Sequence, residues 1–459
     1  MNICIAHFRI GLTDGVSLEI EKRSKILTEM GHTVTTIADQ SSLGADLSIR
    51  YFDYKRQADI LDAQNNAFGG SEEIGASYEL IEAIAQSIEI KLEQFWTKKK
   101  FELLFVHNIF SLPVCIPATI AFYSFLKRHT DVAAVAVHHD FYWDPVRIAS
   151  FEPKDHYGLA LLQTFFPPIL PNLKHTVIST WEQNKLLEQR LIPSTVITDT
   201  FDFEQPSWEQ RPETEAFQTE LQLKPEDLVF LIATRIRRRK GIEIGIDFLY
   251  EFQKTKHLLM GKRKYNGADI TEKSRIVLLL PGEYGEQEKS YVSLLKKHAE
   301  ELNIDIQFVG DLVGSDKEKE EGSKKYSLWD AYVISDIVLY PSIWEGWGNQ
   351  FIEAVFAKKP ILVFEYAVFQ SDIAPVGFQV VSLGKTYTVG ENRLANVPQT
   401  DLIQAVHETQ ALLTDQEEYS KVTELNFEIG KKTHNTHIQL KDHLMKIIHS
   451  VPVPYVLTR

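Results

Sequence analysis

Two glutamates flank a glycine-rich segment where an apolar run gives way to a helical pattern. Glu345 and Glu353, with seven residues between them, lie in the stretch YPSIWEGWGNQFIEAVFAKKP. A carboxylate can accept hydrogen bonds from two adjacent hydroxyls, as on a sugar or a ribose. The amides at the start of a helix have no partner within it and favour a phosphate. We predict a helix that begins near Gln350, with Glu353 in its first turn. A glycine turn with a helix-capping glutamate explains the same residues without any ligand.

A cluster of positive charges follows the predicted strand LVFLIAT. The next residues, RIRRRKG, carry five of these charges, and four residues separate Arg235 from Lys240. An arginine can bind phosphate through two hydrogen bonds and a lysine binds it as a point charge, so this pair could converge on one anion. A solvated basic loop or a nuclear-localisation signal uses the same residue types. The position directly after a buried strand favours a phosphate site.

A third group of polar residues ends the predicted strand VAAVAV in the N-terminal half. His138, His139 and Asp140 come first, and the aromatic residues 141–143 follow them. Imidazole can hydrogen-bond a sugar hydroxyl, and aromatic rings can pack against the apolar face of a sugar. A structural pair of histidines is the favoured alternative when this segment is taken alone. The pair His107–Asn108, at the end of another predicted strand, is a weaker candidate, and no HExxH or similar spacing supports a metal site.

The loop after the first predicted strand contains Gly11 and Gly15. These glycines would let the backbone approach a ligand. The loop matches neither GxGxxG nor a Walker pattern, so an ordinary turn from strand to helix is the favoured interpretation.

These candidate residues can lie close together only if the strands before them end at the same edge of a sheet. The sequence predicts sheets of this kind. Short apolar runs alternate with helical patterns in both halves of the chain, which is typical of parallel sheets covered by helices. A polar, proline-punctuated segment, 207–227, separates two such series and predicts a domain connection. We also predict a helix over about 71–100, and we expect the charged segment 317–325 to be exposed or mobile. Ligands bind beyond the carboxyl ends of such strands, where the candidate residues lie.

The composition excludes several classes of function. A chain of 459 residues with a net charge of −14 is long enough for two or three domains, and we expect no nucleic-acid partner. Its two cysteines, Cys4 and Cys115, lie in apolar runs and predict buried free thiols in a reducing compartment. No signal-like N-terminus and no membrane-spanning run is found, so cytoplasm is the expected location. The segment 95–100, FWTKKK, is compatible with contact at a membrane surface, although the solvated end of a helix is favoured.

Together these elements resemble a retaining glycosyltransferase of the GT-B type, specifically glycosyltransferase family 4. The resemblance covers most of the chain and is strongest over 228–365. The family carries an arginine and a lysine spaced as Arg235 and Lys240 are, and these grip the donor diphosphate. It also carries an E-x7-E motif, which Glu345 and Glu353 match. In the family the first glutamate contacts the donor sugar and the second contacts the nucleotide ribose.

The resemblance also assigns residues around the motif and in the N-terminal half. The backbone between the two glutamates approaches the sugar and the phosphates in the family, and a histidine after an N-domain strand lies near the transferred sugar. His139 is the match for that histidine, His138 is the alternative, and the glycine loop matches at Gly15. The expected catalytic residues are Glu345, His139, Arg235 and Lys240. The expected donor-binding residues are Gly15, His138, Arg235, Lys240, Glu345, Gly346, Trp347, Gly348, Asn349 and Glu353.

The resemblance implies an α/β, GT-B fold in which two Rossmann-like, doubly wound domains face a central cleft. The expected acceptor-side domain is 1–205, completed by a C-terminal helix over 435–459, and the expected donor domain is 206–434. The implied reaction moves a hexose from a UDP-, GDP- or ADP-sugar to a hydroxyl acceptor with retention of configuration. It needs no metal and no other cofactor. A GT-B sugar phosphorylase, a nucleotide-sugar epimerase and a non-catalytic carbohydrate-binding subunit are the alternatives, and the acceptor and the oligomeric state stay open.

Overall fold

The computed structural model describes residues 1–11, 14–40, 42, 44–68, 78–315, 319–320 and 322–450. The chain forms two compact units. The first contains Met1–Thr200 and the segment that begins at Thr436, and the second is Phe201–Asn435. Parts of the predicted helix over 71–100 and of the charged segment 317–325 lie outside the described residues.

The first unit is built on a parallel sheet of seven strands. These strands are β1 (Asn2–Ala6), β2 (Thr33–Ala38), β3 (Leu47–Ser48), β4 (Leu103–His107), β5 (Ala133–His138), β6 (Leu173–Val177) and β7 (Thr195–Val196). Their order across the sheet is β3-β2-β1-β4-β5-β6-β7, and every neighbouring pair is parallel. The strand order reverses between β1 and β4. In sheets of this kind, ligands bind at the carboxyl ends of the strands beside that reversal.

Apolar side chains on both faces of this sheet hold the helices against it. Ala6 and Leu104 belong to the core on one face, whereas Ile5, Phe105 and Val137 belong to the core on the other. Because the strands are buried on both faces, they appear as continuous apolar runs in the sequence. The helices before the second unit are α1 (Gly15–Glu29), α2 (Ala58–Ala67), α3 (Tyr78–Lys99), α4 (Ile116–Arg128), α5 (His156–Phe165) and α6 (Thr180–Arg190).

The second unit contains a parallel sheet of six strands, in the order β10-β9-β8-β13-β14-β15. Its order reverses between β8 and β13. Two short pairs, β11 with β12 and β16 with β17, lie outside this sheet. The strands are β8 (Leu228–Leu231), β9 (Ile276–Leu280), β10 (Asp305–Phe308), β11 (Val313–Gly314), β12 (Tyr326–Ser327), β13 (Ile337–Tyr340), β14 (Ile361–Val363), β15 (Val381–Ser382), β16 (Thr388–Val389) and β17 (Ala395–Asn396).

The remaining helices cover the second sheet and return the chain to the first unit. They are α7 (Pro212–Glu220), α8 (Ile242–Thr255), α9 (Lys289–Glu301), α10 (Leu328–Ile334), α11 (Asn349–Phe356), α12 (Gln399–Thr414), α13 (Gln416–Thr433) and α14 (Lys441–His449). Leu444 of α14 is buried with Ile3 and Ile5 of β1 in the first unit. The predicted α/β fold with two doubly wound sheets is confirmed.

The polar segment 207–227 has a structure of its own. It contains α7, and the chain passes between the units upstream of it, at Thr200 and Phe201. The hydroxyl of Thr214 is buried and donates to a carboxylate oxygen of Asp330 at 2.7 Å. The segment is therefore a part of the second unit.

Candidate active site

Two loops meet at the carboxyl ends of β8 and β13, where the order of the second sheet reverses. The loop after β8 carries the basic residues, and the loop after β13 carries Glu345. The amide of Ile343 donates to the carbonyl oxygen of Arg239 at 2.9 Å and joins the two loops. A Cβ atom at Gly241 would lie 2.3 Å from the carbonyl oxygen of Pro341, so only glycine permits this close approach. Two motifs far apart in the sequence thus share one site.

Glu345 has a cation on each of its carboxylate oxygens. Its Oε1 accepts a hydrogen bond from Nζ of Lys240, and its Oε2 accepts one from Nη1 of Arg239. The residue is buried, with 6% of its surface exposed. Burial alone would raise the pKa of the Glu345 carboxyl, but the charges of Arg239 and Lys240 hold that pKa below its ordinary value. The carboxylate is therefore ionised at neutral pH.

Lys240 is the second buried charge of this site. Besides Glu345, its Nζ donates to Oε1 of Gln350 at 3.3 Å. Burial lowers the pKa of Lys240 to about 8, against the opposing effect of Glu345, and the charges of Arg239 and Arg235 add to the lowering. The amine is thus mostly protonated at neutral pH and begins to lose its proton in mildly alkaline solution.

The two cations expected to bind diphosphate have different surroundings. Lys240 is buried, whereas Arg235 is exposed. The backbone of Arg235 packs closely on the loop after β9, since a Cβ at Gly282 would lie 2.8 Å from the Cα of Arg235. Convergence of both side chains on one anion stays a prediction.

Arg239 is a site residue that the sequence reasoning missed. The sequence shows three consecutive arginines, 237–239. A loop has no periodicity that would indicate which of the three faces inward. The only available signal was proximity to Lys240, and it is shared by all three residues.

Glu353 also lies close to a partner that the sequence did not reveal. Its Oε2 accepts a hydrogen bond of 2.8 Å from the hydroxyl of Tyr332 in α10. The prediction that Glu353 lies in the first turn is wrong, because α11 begins at Asn349 and Glu353 is its fifth residue. Its contact with a ribose stays a prediction.

The segment from Gly346 to Asn349 turns tightly into α11. Gly348 has a φ of +156°, and a Cβ there would lie 2.7 Å from the hydroxyl oxygen of Tyr366. That hydroxyl donates to the carbonyl oxygen of Trp347, whose side chain is buried. Asn349 is the first residue of the helix, so its amide has no acceptor within it. The turn thus presents backbone donors at the end of β13.

Three histidines lie at the carboxyl ends of β1, β4 and β5 in the first unit. Nδ1 of His7 is 3.0 Å from the carbonyl oxygen of His107, and Nδ1 of His107 is 2.9 Å from Nε2 of His139. Because a carbonyl only accepts, Nδ1 of His7 carries a proton. Burial lowers the pKa of His139 to about 3 and that of His107 well below its ordinary value. Burial lowers the pKa of His7 as well, so all three rings are neutral near pH 7.

Asn108 fixes the turn that presents His139. It has a φ of +56°, a conformation that asparagine tolerates better than most residues. Its side-chain oxygen accepts from the amide of His139 at 2.8 Å and from the amide of Asp140 at 3.3 Å. The pair His107–Asn108, ranked as a weaker candidate from sequence, is thus in contact with His139.

The adjacent histidines face different partners. His138 is fully buried, and its Nε2 lies 3.0 Å from Nδ1 of His175. His139 keeps 6% of its surface exposed, so it is the stronger candidate of the two for contact with a ligand.

Gly15 was expected in the loop before α1, but it is the first residue of that helix. The helix begins there because Asp14 caps it: the Asp14 carboxylate accepts a hydrogen bond from the amide of Ser17 at 3.3 Å.

The described part of the chain shows neither a cluster of metal ligands nor a helix that could span a membrane. In it, no group of three or more histidine, cysteine, aspartate or glutamate side chains could hold a metal ion. None of the helices described here has both the length and the apolar character needed to cross a membrane. Cys4 and Cys115 are free and buried, as predicted.

Known proteins resemble this chain in sequence and in fold. The family described as Glycosyl transferases group 1 matches residues 213–375. The mannosylglucosylglycerate synthase of Petrotoga mobilis is 35% identical over 432 residues, which are 94% of this chain and 97% of that protein. The enzyme of the same name from Thermotoga maritima is 37% identical over 438 residues, which are 94% of this chain and 96% of that one. A glycosyltransferase structure from Rickettsia africae has a TM-score of 0.62 at 14% identity and covers 98% of both chains.

These similarities confirm the family resemblance inferred from the two motifs. The relatives match nearly the whole chain at a level of identity that shows a common family. The structural likeness shows the fold, because it extends over both parallel sheets. The chain belongs to glycosyl transferases group 1, glycosyltransferase family 4, and is a hexosyltransferase of the GT-B fold that uses a nucleotide-sugar donor.

Proposed function

We propose that this protein transfers a mannosyl group from a nucleoside diphosphate sugar to a hydroxyl of glucosylglycerate. The transfer retains the anomeric configuration and needs no divalent metal. Two mannosylglucosylglycerate synthases match 94% of this chain. A product of that name is formed most simply by adding mannose to the glucose of a glucosylglycerate. The acceptor would then be a small, negatively charged metabolite.

The observation that carries this proposal is the contact between Lys240 and Glu345 at the strand-order reversal of the second sheet. A nucleotide sugar presents a diphosphate beside a polyol. The site offers a buried cation beside an ionised carboxylate, with the exposed Arg235 and the N-terminus of α11 nearby in the chain. Cations and helix amides suit the diphosphate, and a carboxylate suits sugar hydroxyls.

In the proposed reaction, the bond between the anomeric carbon and the diphosphate oxygen breaks as charge builds on the leaving group. Lys240 and Arg235 offset that charge, which removes the need for a bound Mg²⁺. The acceptor oxygen bonds to the anomeric carbon on the face that the diphosphate leaves. The acceptor proton passes to an oxygen of the departing phosphate, so the products are the glycoside and the nucleoside diphosphate.

The other predicted residues bind and orient the donor. Glu345 accepts hydrogen bonds from the transferred sugar, and Glu353 accepts them from the ribose. The backbone from Gly346 to Asn349 donates to the phosphates or the sugar, and Gly15 lies at the N-terminus of α1. Neutral His139, fixed by His107 and Asn108, offers a hydrogen bond to a sugar hydroxyl.

The test is a product analysis with defined donors. The purified protein is incubated with UDP-, GDP- or ADP-linked mannose or glucose, with glucosylglycerate, in the presence of EDTA. We expect one mannose donor to give a glycoside with one added hexose, whose anomeric proton signals in NMR show the donor's own configuration. An inverted product would contradict retention, and a product formed only from glucose donors would contradict the mannosyl assignment.

The same experiment separates the alternatives. A phosphorylase would need inorganic phosphate and would ignore the nucleotide. An epimerase would alter the donor sugar without an acceptor, and a carbohydrate-binding subunit would release no nucleotide. Any of these results would overturn the transferase assignment.

A further inference from the structure

Glu345 is held by two cations that differ in how they are anchored. Nη1 of Arg239 donates both to Glu345 and to the carbonyl oxygen of Trp344, the latter at 2.9 Å. The carbonyl oxygen of Arg239 accepts from the amide of Ile343. Arg239 is thus tied to the 343–345 segment through its side chain and its backbone. Nζ of Lys240 contacts only side chains, those of Glu345 and Gln350, among the hydrogen bonds seen in the described residues.

The proposed function assigns Lys240 to the donor diphosphate and assigns no contact with the donor to Arg239. If Lys240 binds the donor diphosphate, its interaction with Glu345 weakens when the donor arrives. A buried carboxylate that loses its counter-charges becomes costly and takes up a proton. Arg239 has a third of its side chain exposed, and its hydrogen bond to the carbonyl oxygen of Trp344 keeps it attached to the loop of Glu345.

We propose that Arg239 is a positioning residue that keeps Glu345 ionised and oriented while Lys240 serves the donor diphosphate. This inference rests on the proposed function. Arg239 does not contact the donor, and it acts through the carboxylate. Two neighbouring residues of one loop therefore have different roles: Lys240 neutralises the diphosphate, and Arg239 neutralises the Glu345 carboxylate.

The first test compares Arg239→Gln and Arg239→Lys with the wild type. For Arg239→Gln we expect kcat to fall on the order of 100-fold, a typical effect of losing one preorganised electrostatic contact. Nucleoside diphosphate affinity should change little, because Lys240 and Arg235 remain. The acid limb of the kcat profile should move to higher pH, because the Glu345 pKa rises when one cation is lost. Arg239→Lys should recover part of kcat and of the acid limb.

Arg238→Gln is the matched control. Arg238 is the adjacent arginine, and its Nη1 donates to the carbonyl oxygen of Arg393 at 2.9 Å. Its guanidinium lies 5.1 Å from the ring centre of Tyr291, so Arg238 contacts residues other than the Glu345 partner of Arg239. The control should keep the kcat and acid limb of the wild type. If Arg239→Gln resembles this control, or loses affinity and kcat in parallel with an unmoved acid limb, the inference is wrong.

A second readout needs no catalysis, so it separates this inference from the proposed function. The depressed pKa of Glu345 stabilises the folded protein above the pKa of the unfolded carboxyl, and this stabilisation is lost as pH falls through the folded pKa. The difference in Tm between wild type and Arg239→Gln should therefore be largest near pH 7 and shrink towards pH 4. The difference for Arg238→Gln should not depend on pH. A pH-independent difference for Arg239→Gln would refute the role in ionisation, whereas a wild type that releases no nucleotide would refute only the proposed function.

Discussion

Lys240 connects the electrostatics of single residues to a measurable pH dependence. Burial lowers its pKa to about 8, and the proposed contact with the diphosphate requires the protonated amine. Nucleoside diphosphate affinity should therefore fall as pH rises through about 8, because binding then requires proton uptake. Titration calorimetry in buffers of different ionisation enthalpy measures both the affinity and the uptake. Constant affinity across this range would show that Lys240 does not bind the diphosphate.

Arg235 should matter for catalysis and not for stability. Because its side chain is exposed, Arg235→Ala should leave the Tm nearly unchanged. We expect kcat/KM to fall by about 100- to 1,000-fold, equivalent to roughly 2.7–4 kcal/mol of lost transition-state stabilisation. Steady-state kinetics with the best donor provides the measurement.

Arg237→Ala is the control for this prediction. Arg237 lies in the same loop and pairs with Glu288 at 3.7 Å. It should keep wild-type kinetics. Wild-type turnover by Arg235→Ala, or an equal loss in both variants, would remove Arg235 from the phosphate site.

At the scale of elements, the turn from β13 into α11 depends on Gly348. Gly348→Ala should destabilise the fold by about 1–3 kcal/mol, because it combines backbone strain with a clash against Tyr366. Gly377→Ala is a matched control, since Gly377 also has a positive φ but no atom within 4 Å of a built Cβ. Urea unfolding should show the larger loss at Gly348, and adding Tyr366→Phe should recover part of it. Equal losses at both glycines would mean that Tyr366 does not restrict this turn.

The contact between α10 and α11 orients Glu353 for its proposed partner. We expect Glu353→Ala to weaken nucleoside diphosphate binding by about 1.5–3 kcal/mol, the range for hydrogen bonds to a charged group. Tyr332→Phe should lose less, because the carboxylate remains and only its hydrogen-bond donor is removed. Calorimetry with ribose and 2′,3′-dideoxyribose nucleotides isolates the effect. A loss of the same size for both nucleotides would contradict contact with the ribose.

The strands were predictable from the sequence, whereas several loop and helix-end details were not. β4, β9 and β13 are buried on both faces, so each is a continuous apolar run in the sequence, and such a run predicts a buried strand. Lys240 and Glu345 follow such strands, and their convergence was predictable because parallel strands end at one edge. Arg239 was missed because its contact depends on the conformation of a loop, which has no periodic pattern in the sequence. Tyr332 was missed because its contact depends on which two helices pack together, and the pattern within one helix does not show this.

At the scale of the whole molecule, net charge is a poor guide to this site. The chain carries a net charge of −14, yet the reversal point of its second sheet brings Arg239 and Lys240 onto one buried carboxylate. The fold creates this local field by placing the loops after β8 and β13 side by side. Long-range repulsion of an anionic donor by the acidic surface should weaken with added salt, because ions screen exposed charges.

The central claim is transfer from a nucleotide sugar that relies on protein cations. The most direct measurement is release of nucleoside diphosphate on addition of glucosylglycerate, in EDTA, for wild type and Lys240→Ala. We predict acceptor-dependent release by the wild type at the same rate with and without EDTA, and a rate lower by about 100-fold or more in the variant. Release that stops in EDTA, or a variant as fast as the wild type, would contradict the account.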